Sequence, residues 1–124
     1  MNKEKISILI TNFNKEKFIE ECILSCLSQN YNNLEIIIVD NSSTDKSMSK
    51  IKKYSNELFA IKKKRDSQYS PKNQIDSLIE AFKKSTGNII LLLDGDDYFL
   101  PNKASHIKDI FLKTEQINLS SEVY

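Results

Sequence analysis

The feature that most constrains this chain is an alternation of two periodicities. Short, nearly unbroken apolar runs take turns with longer stretches whose apolar residues recur every three or four positions. "ISILIT" (6–11), "LEIIIVD" (34–40) and "NIILLLD" (88–94) are of the first kind. They are rich in aliphatic residues and lack polar alternation, which is how strands buried on both faces read. "ELFAIKK" (57–63) is a further, less apolar strand between the second and the last of these. The helical stripes are Phe18, Ile19, Cys22, Ile23, Cys26 and Leu27; Met48, Ile51 and Tyr54; Ile75, Leu78, Ile79 and Phe82; and Ala104, Ile107, Ile110 and Phe111. Asn14 is placed to cap the first helix, and Gly87 supplies a left-handed stop after the third. Pro101 suits the first turn of the fourth. "KRDSQYSPKNQ" (64–74) reads as a polar loop and 114–124 as a polar tail without assigned structure. The order βαβαβαβα implies a single α/β domain over 1–124, Rossmann-like, with a mostly parallel sheet and helices on both faces.

Composition removes several function classes. A net charge of +1 gives no electrostatic case for nucleic acid. No apolar run approaches the roughly 20 residues of a membrane span, and no leader is expected ahead of the first strand. Cys22 and Cys26 lie four apart in a helical stripe, so they read as buried thiols in a reducing, cytoplasmic setting rather than as a disulfide. The single histidine, His106, sits in a charged helical stretch and reads as a surface or half-buried residue.

In a parallel sheet, ligands bind beyond the carboxyl ends of the strands. Polar residues collect at three such ends: Thr11-Asn12-Phe13-Asn14, Asp40-Asn41-Ser42-Ser43-Thr44-Asp45 and Asp94-Gly95-Asp96-Asp97. Asn14, Ser43, Thr44 and Asp45 are first of all caps and turn formers. Asp40 ends a very apolar strand and can accept hydrogen bonds from a base or a ribose. Asp94 and Asp96 can turn toward one point, because Gly95 tolerates unusual backbone angles and lets a ligand approach. Crowded carboxylates of this kind suit Mg²⁺ or Mn²⁺, hard ions that take oxygen ligands together with substrate phosphates. The plainer reading of the cluster is a turn ahead of Pro101, with Asp97 serving the last helix. Lys62-Lys63-Lys64-Arg65 and Lys72 read as a solvated edge, with a diphosphate across the rim as the alternative.

Neither a dinucleotide glycine fingerprint nor a Walker loop is present, since the only glycines are Gly87 and Gly95. A receiver-like or phosphatase-like domain would draw an acid from the first strand, and Ile6 to Thr11 ends without one.

Taken together, the segment Ile6–Ser47 followed by "STGNIILLLDGDDYFLPNK" resembles the N-terminal half of family-2 inverting glycosyltransferases with the GT-A fold. The resemblance runs from about Ile6 to Leu112. It rests on strand–Thr-Asn-Phe-Asn, then Val-Asp-x-x-Ser-Thr-Asp, then Leu-Asp-x-Asp-Asp. It implies a nucleotide-sugar pocket lined by Thr11, Asn12 and Phe13, with Asp40 on the base and Asp94 and Gly95 beside the ribose and phosphates. Asp96 is implied as the ligand of Mg²⁺ or Mn²⁺. It further implies transfer of a sugar, with inversion, from a nucleoside diphosphate sugar (a UDP-sugar by preference) to a glycan or lipid-linked acceptor. The implied setting is cell-surface polysaccharide or glycoconjugate synthesis, in the cytoplasm or at the inner face of the membrane. Thr11 stands where the family usually has proline, and Asn41-Ser42 where it has Asp-Gly. "SQYSPKNQ" departs from the common Ala-Arg-Asn-x-Gly form, which leaves Lys72, Asn73 and Gln74 without roles. No residue matches the general base that family members carry further along. The chain is therefore expected to be a truncated donor-binding half or, alternatively, a non-catalytic module that binds nucleotide or a partner. Self-association stays open.

Overall fold

The computed structural model describes residues 4–65 and 70–120, with side chains to 113. Four strands form one parallel sheet: β1 (Ile6–Asn12), β2 (Leu34–Asp40), β3 (Phe59–Lys62) and β4 (Ile89–Asp94). Four helices alternate with them: α1 (Ile19–Leu27), α2 (Ser47–Lys52), α3 (Ser70–Lys84) and α4 (Lys103–Ser120). The expected α/β architecture is present, and the sheet order is β3-β2-β1-β4. Register follows from burial. β1 is buried along its whole length and sits between β2 and β4, so Ile6, Ile8 and Ile10 pair with Leu34, Ile36 and Ile38 on one side. On the other side they pair with Ile89, Leu91 and Leu93.

Because alternate strand residues face opposite ways, the sheet builds two cores. On one face Ile6, Ile8, Ile10, Ile36 and Ile38 pack on Ile19, Cys22, Ile23 and Cys26 of α1, Ile51 of α2 and Ala104 of α4. On the other, Leu9, Ile37 and Val39 pack on Ala81 and Leu78 of α3. Both thiols are free and fully buried. A hydrogen bond between Cys22 and Cys26, with burial, raises the Cys22 thiol above its ordinary value, which makes it inert. His106 is exposed.

The third helix departs from its sequence reading. It begins at Ser70, inside the expected 64–74 loop, of which 66–69 lie outside the described residues. Its inward face is Asn73, Ser77 and Ala81, spaced four apart. Ile75, Ile79 and Phe82 of the apolar stripe are 56%, 47% and 59% exposed. Small side chains let the helix axis approach the sheet, and their modest hydrophobicity hides that face from a search for apolar periodicity.

Gly87 also differs from expectation. No glycine has a positive φ. A Cβ on Gly87 would lie 2.5 Å from Ser7 Oγ and 2.8 Å from both Lys5 O and Ser7 N, so close approach to β1 is what demands glycine there. The fourth helix extends to Ser120, through most of the expected tail, and 121–124 lie outside the described residues. Its first turn is capped from across the fold. Gln29 Oε1 accepts the Ala104 N–H at 2.8 Å, while Gln29 Nε2 donates to Leu100 O at 2.7 Å. Pro101 precedes the helix instead of opening it.

Candidate functional site

The parallel register brings the three polar clusters to one rim. Asn12 is paired with Asp40 and Thr11 with Asp94, so β1 supplies a bridge to each neighbour. Thr11 Oγ1 donates to Asp94 Oδ1 at 3.2 Å, and Asn12 Nδ2 donates to Asp40 Oδ1 at 2.9 Å.

Asp40 itself lies beneath the rim. It is 1% exposed and holds two further groups in place. Ser43 Oγ donates to Oδ1 at 2.7 Å and Ser43 N to Oδ2 at 3.0 Å, in addition to the Asn12 amide. A buried carboxylate must be hydrogen-bonded, and this one fixes the β2 turn against β1. The residue that reaches the cavity from β2 is its neighbour Asn41, whose buried Oδ1 has no hydrogen-bond partner among the described residues. Two turns are also stitched together by Asn14. With φ of 53°, it accepts the N–H of Thr44 at 2.8 Å and of Asp45 at 3.2 Å on Oδ1. It therefore does not cap α1, whose N-cap is Phe18 without a side-chain bond.

The β4 corner is built differently. Carboxylate oxygens of Asp94, Asp96 and Asp97 all lie within 4.8 Å of one another. Like charges at about 4 Å repel by about 1 kcal/mol per pair even in bulk water. Gly95 donates its N–H to Thr11 O at 2.9 Å. A Cβ there would sit 2.5 Å from Asn12 Oδ1 and 3.2 Å from Thr11 O. Glycine is thus favoured by the close approach of β1, since a Cβ would push the Asn12 amide aside, and its backbone angle is ordinary. Asp97 closes a turn through its N–H to Asp94 O at 2.9 Å, and it does not serve α4, which Gln29 caps.

Between these corners opens a cavity of about 180 Å³ whose wall includes Thr11, Asn12, Phe13, Asn41 and Asp94. The wall also holds Arg65, read from sequence as part of a solvated basic edge or a face toward a diphosphate, and several residues given no role. Arg65 stacks on Phe13 with its guanidinium 3.9 Å from the ring centroid. Basic residues after β3 hinted at this, but nothing in sequence tied Arg65 to Phe13. Asn73 and Ser77 line the floor from the small-residue face of α3, and Gln74 Nε2 reaches Asp94 Oδ1 at 3.5 Å. Lys15 lines the wall beside β4, where its Nζ is 3.2 Å from Asp96 Oδ2.

Fold and rim together define a class: a parallel α/β domain with a polar cavity beyond the carboxyl ends of its strands, the position at which such sheets take nucleotides. Comparison with known proteins gives the family. A family model described as "Glycosyl transferase family 2" matches residues 7–120. An uncharacterized glycosyltransferase of Haemophilus influenzae is 35% identical over 105 residues, covering 83% of this chain and 40% of the relative. The Escherichia coli protein named UDP-Glc:alpha-D-GlcNAc-diphosphoundecaprenol beta-1,3-glucosyltransferase WfaP is 35% identical over 122 residues, covering 98% of this chain and 46% of its own. Among solved structures, S. aureus TarS 1–349 in complex with UDP superposes with a TM-score of 0.72 at 25% identity, over 88% of this chain and 32% of that one. The chain belongs to glycosyl transferase family 2, and its sheet corresponds to the N-terminal half of the GT-A fold. It spans less than half the length of the relatives named here.

Proposed function

We propose that this chain is the donor-binding part of an inverting glycosyltransferase. It holds a nucleoside diphosphate sugar, a UDP-sugar by preference, and presents the sugar to a hydroxyl of a glycan or lipid-linked acceptor. The observation that carries the reading is the polarity of the cavity. The amides of Asn12, Asn41, Asn73 and Gln74, the Phe13–Arg65 stack and Asp94 all line it, and Asp94 belongs to the acidic cluster with Asp96 and Asp97. That lining suits a ligand with a planar, hydrogen-bonding base and, through a cation held by the acids, a charged diphosphate. TarS has been captured with UDP and with UDP-GlcNAc, and WfaP is named for UDP-Glc.

In this reading Thr11, Asn12 and Phe13 form the nucleotide wall. Asp40 contributes from below, holding Asn12 and Ser43 while Asn41 presents its amide to the base. Asp94 and Gly95 lie on the ribose and phosphate side. Three carboxylates whose oxygens already converge fit Mg²⁺ or Mn²⁺, with Asp96 as the principal ligand and Asp94 and Asp97 beside it. Such an ion supplies Lewis-acid stabilisation of the departing nucleoside diphosphate. Attack by the acceptor hydroxyl also needs a base to take its proton, and none of these residues is assigned that part. No helix among the described residues is long and apolar enough to cross a membrane. We place the protein in the cytoplasm or at the inner face of the membrane, in cell-surface polysaccharide or glycoconjugate synthesis.

Calorimetric titration with UDP and GDP, with and without Mn²⁺, tests the reading. Binding of UDP that strengthens with Mn²⁺ is expected. A chain that binds neither nucleotide under either condition would sink it.

A further inference from the structure

Lys15 occupies an unusual position for a surface lysine. Its backbone is anchored on both sides: Asn14 donates its N–H to Ser43 Oγ at 2.8 Å, and Lys15 O accepts the N–H groups of Phe18 and Ile19 at 2.9 and 2.8 Å. Its side chain lines the cavity wall and ends on the acid singled out for the metal, with Nζ to Asp96 Oδ2 at 3.2 Å. Both side chains of that pair are 37% exposed, which keeps the bond weak enough to exchange. Lys15 and Arg65 are the cationic side chains on the wall among the described residues. The Arg65 guanidinium is engaged on the Phe13 ring, whereas Lys15 is a compact charge on a flexible stem.

We propose that Lys15 is the exchangeable counter-ion of the donor site, a reading that rests on the function proposed above. Without donor it neutralises Asp96 and relieves the repulsion among Asp94, Asp96 and Asp97. When donor and divalent ion arrive together, Asp96 is released to the ion and the Lys15 ammonium turns to the diphosphate. An ammonium held on Asp96 Oδ2 repels a divalent ion brought to the same carboxylate, so the two cations compete for Asp96. The same lysine then adds affinity for phosphate. It opposes one ligand and assists the other, which a merely structural residue would not do.

The test measures two affinities of the 124-residue chain: Mn²⁺ alone, by the electron paramagnetic resonance signal of the free ion, and UDP at saturating Mn²⁺, by calorimetry. An exposed ion pair corresponds to a change of a few-fold, so Lys15→Met should bind Mn²⁺ alone about 3-fold more tightly. The lost charged hydrogen bond should make its UDP affinity about 10-fold weaker. Lys15→Arg, which keeps the charge, should return both values to within about 2-fold of wild type. Unchanged affinities in Lys15→Met, or a loss of both together, would overturn the proposal. Asp96→Asn separates the two levels of argument. If wild type binds Mn²⁺, Asp96→Asn does not, and Lys15→Met behaves as wild type, the metal assignment stands and the lysine exchange alone falls. If wild type takes up no Mn²⁺ with or without UDP, both fall.

Discussion

Asp40 and Asp94 end the two strands that flank β1, and each receives a hydrogen bond from it, yet the corners they anchor differ in kind. At the β2 corner one carboxylate is sealed in and saturated by Asn12, the Ser43 hydroxyl and the Ser43 N–H. At the β4 corner three carboxylates share one small volume. Side-chain bonds reach them from Thr11 at 3.2 Å and Gln74 at 3.5 Å on Asp94, and from Lys15 at 3.2 Å on Asp96. A saturated acid is part of the fold, because its removal strands the donors it satisfies. Crowded acids with long or exchangeable bonds contribute little to the fold and leave lone pairs open. Acidic residues at homologous strand ends can therefore do unrelated work.

Substitutions can break or sharpen this contrast, and stability ranks them. Asp40→Ala should have the largest effect, lowering unfolding free energy by about 3 kcal/mol in urea titrations, since it leaves buried donors unpaired. If it cost no more than Asp96→Ala, the distinction between the corners would collapse. Gly95→Ala comes next, at about 2 kcal/mol, because the new methyl group must displace the Asn12 side chain that ties the corners together. It should weaken UDP binding as well. Asp96→Ala should change stability by less than about 0.5 kcal/mol while abolishing the Mn²⁺ dependence of UDP binding, as read by calorimetry.

The smallest effect on UDP binding belongs to a control acid at the far end of the sheet. Burial pushes the Glu35 carboxyl up, but hydrogen bonds from the Ser7 hydroxyl (2.5 Å) and the Thr86 N–H (2.6 Å), with Lys5 nearby, more than reverse this and hold it below its ordinary value. A depressed folded value stabilises the protein above the unfolded value of about 4.5, and that contribution disappears as pH falls through the folded value. Acid titration of wild type against Glu35→Gln should show the variant less sensitive to pH below that point, with UDP binding at neutral pH unaltered. A variant with the same acid profile as wild type would show that Glu35 has no such linkage.

Much of the fold was legible because burial on two faces leaves an unmistakable mark: the aliphatic runs of β1, β2 and β4 have no polar alternation. The parallel order then placed Thr11, Asp40 and Asp94 at one rim. Legibility failed wherever a residue's task is set by a neighbour far away in the chain. Asn14 has the composition of a local cap, yet it joins two turns some 30 residues apart, and Gln29, to which the sequence assigned nothing, caps a helix 75 residues away. Gly87 read as a left-handed helix stop and Gly95 as a corner needing unusual backbone angles, and both are instead points of close approach to β1. The apolar stripe of α3 pointed to the wrong face, since Asn73, Ser77 and Ala81 earn their inward place by size.

By itself, then, the amino-acid sequence determined the alternation of strand and helix, the parallel sheet and the strand ends where polar chemistry gathers. Each of these follows from the local period of side chains and from handed βαβ connections. Only the tertiary structure decided which acids at those ends are spent on the fold and which remain available. It also set Arg65 on Phe13 and Lys15 on Asp96. Those outcomes depend on through-space distances between elements far apart in the chain, and local periodicity carries no information about such distances.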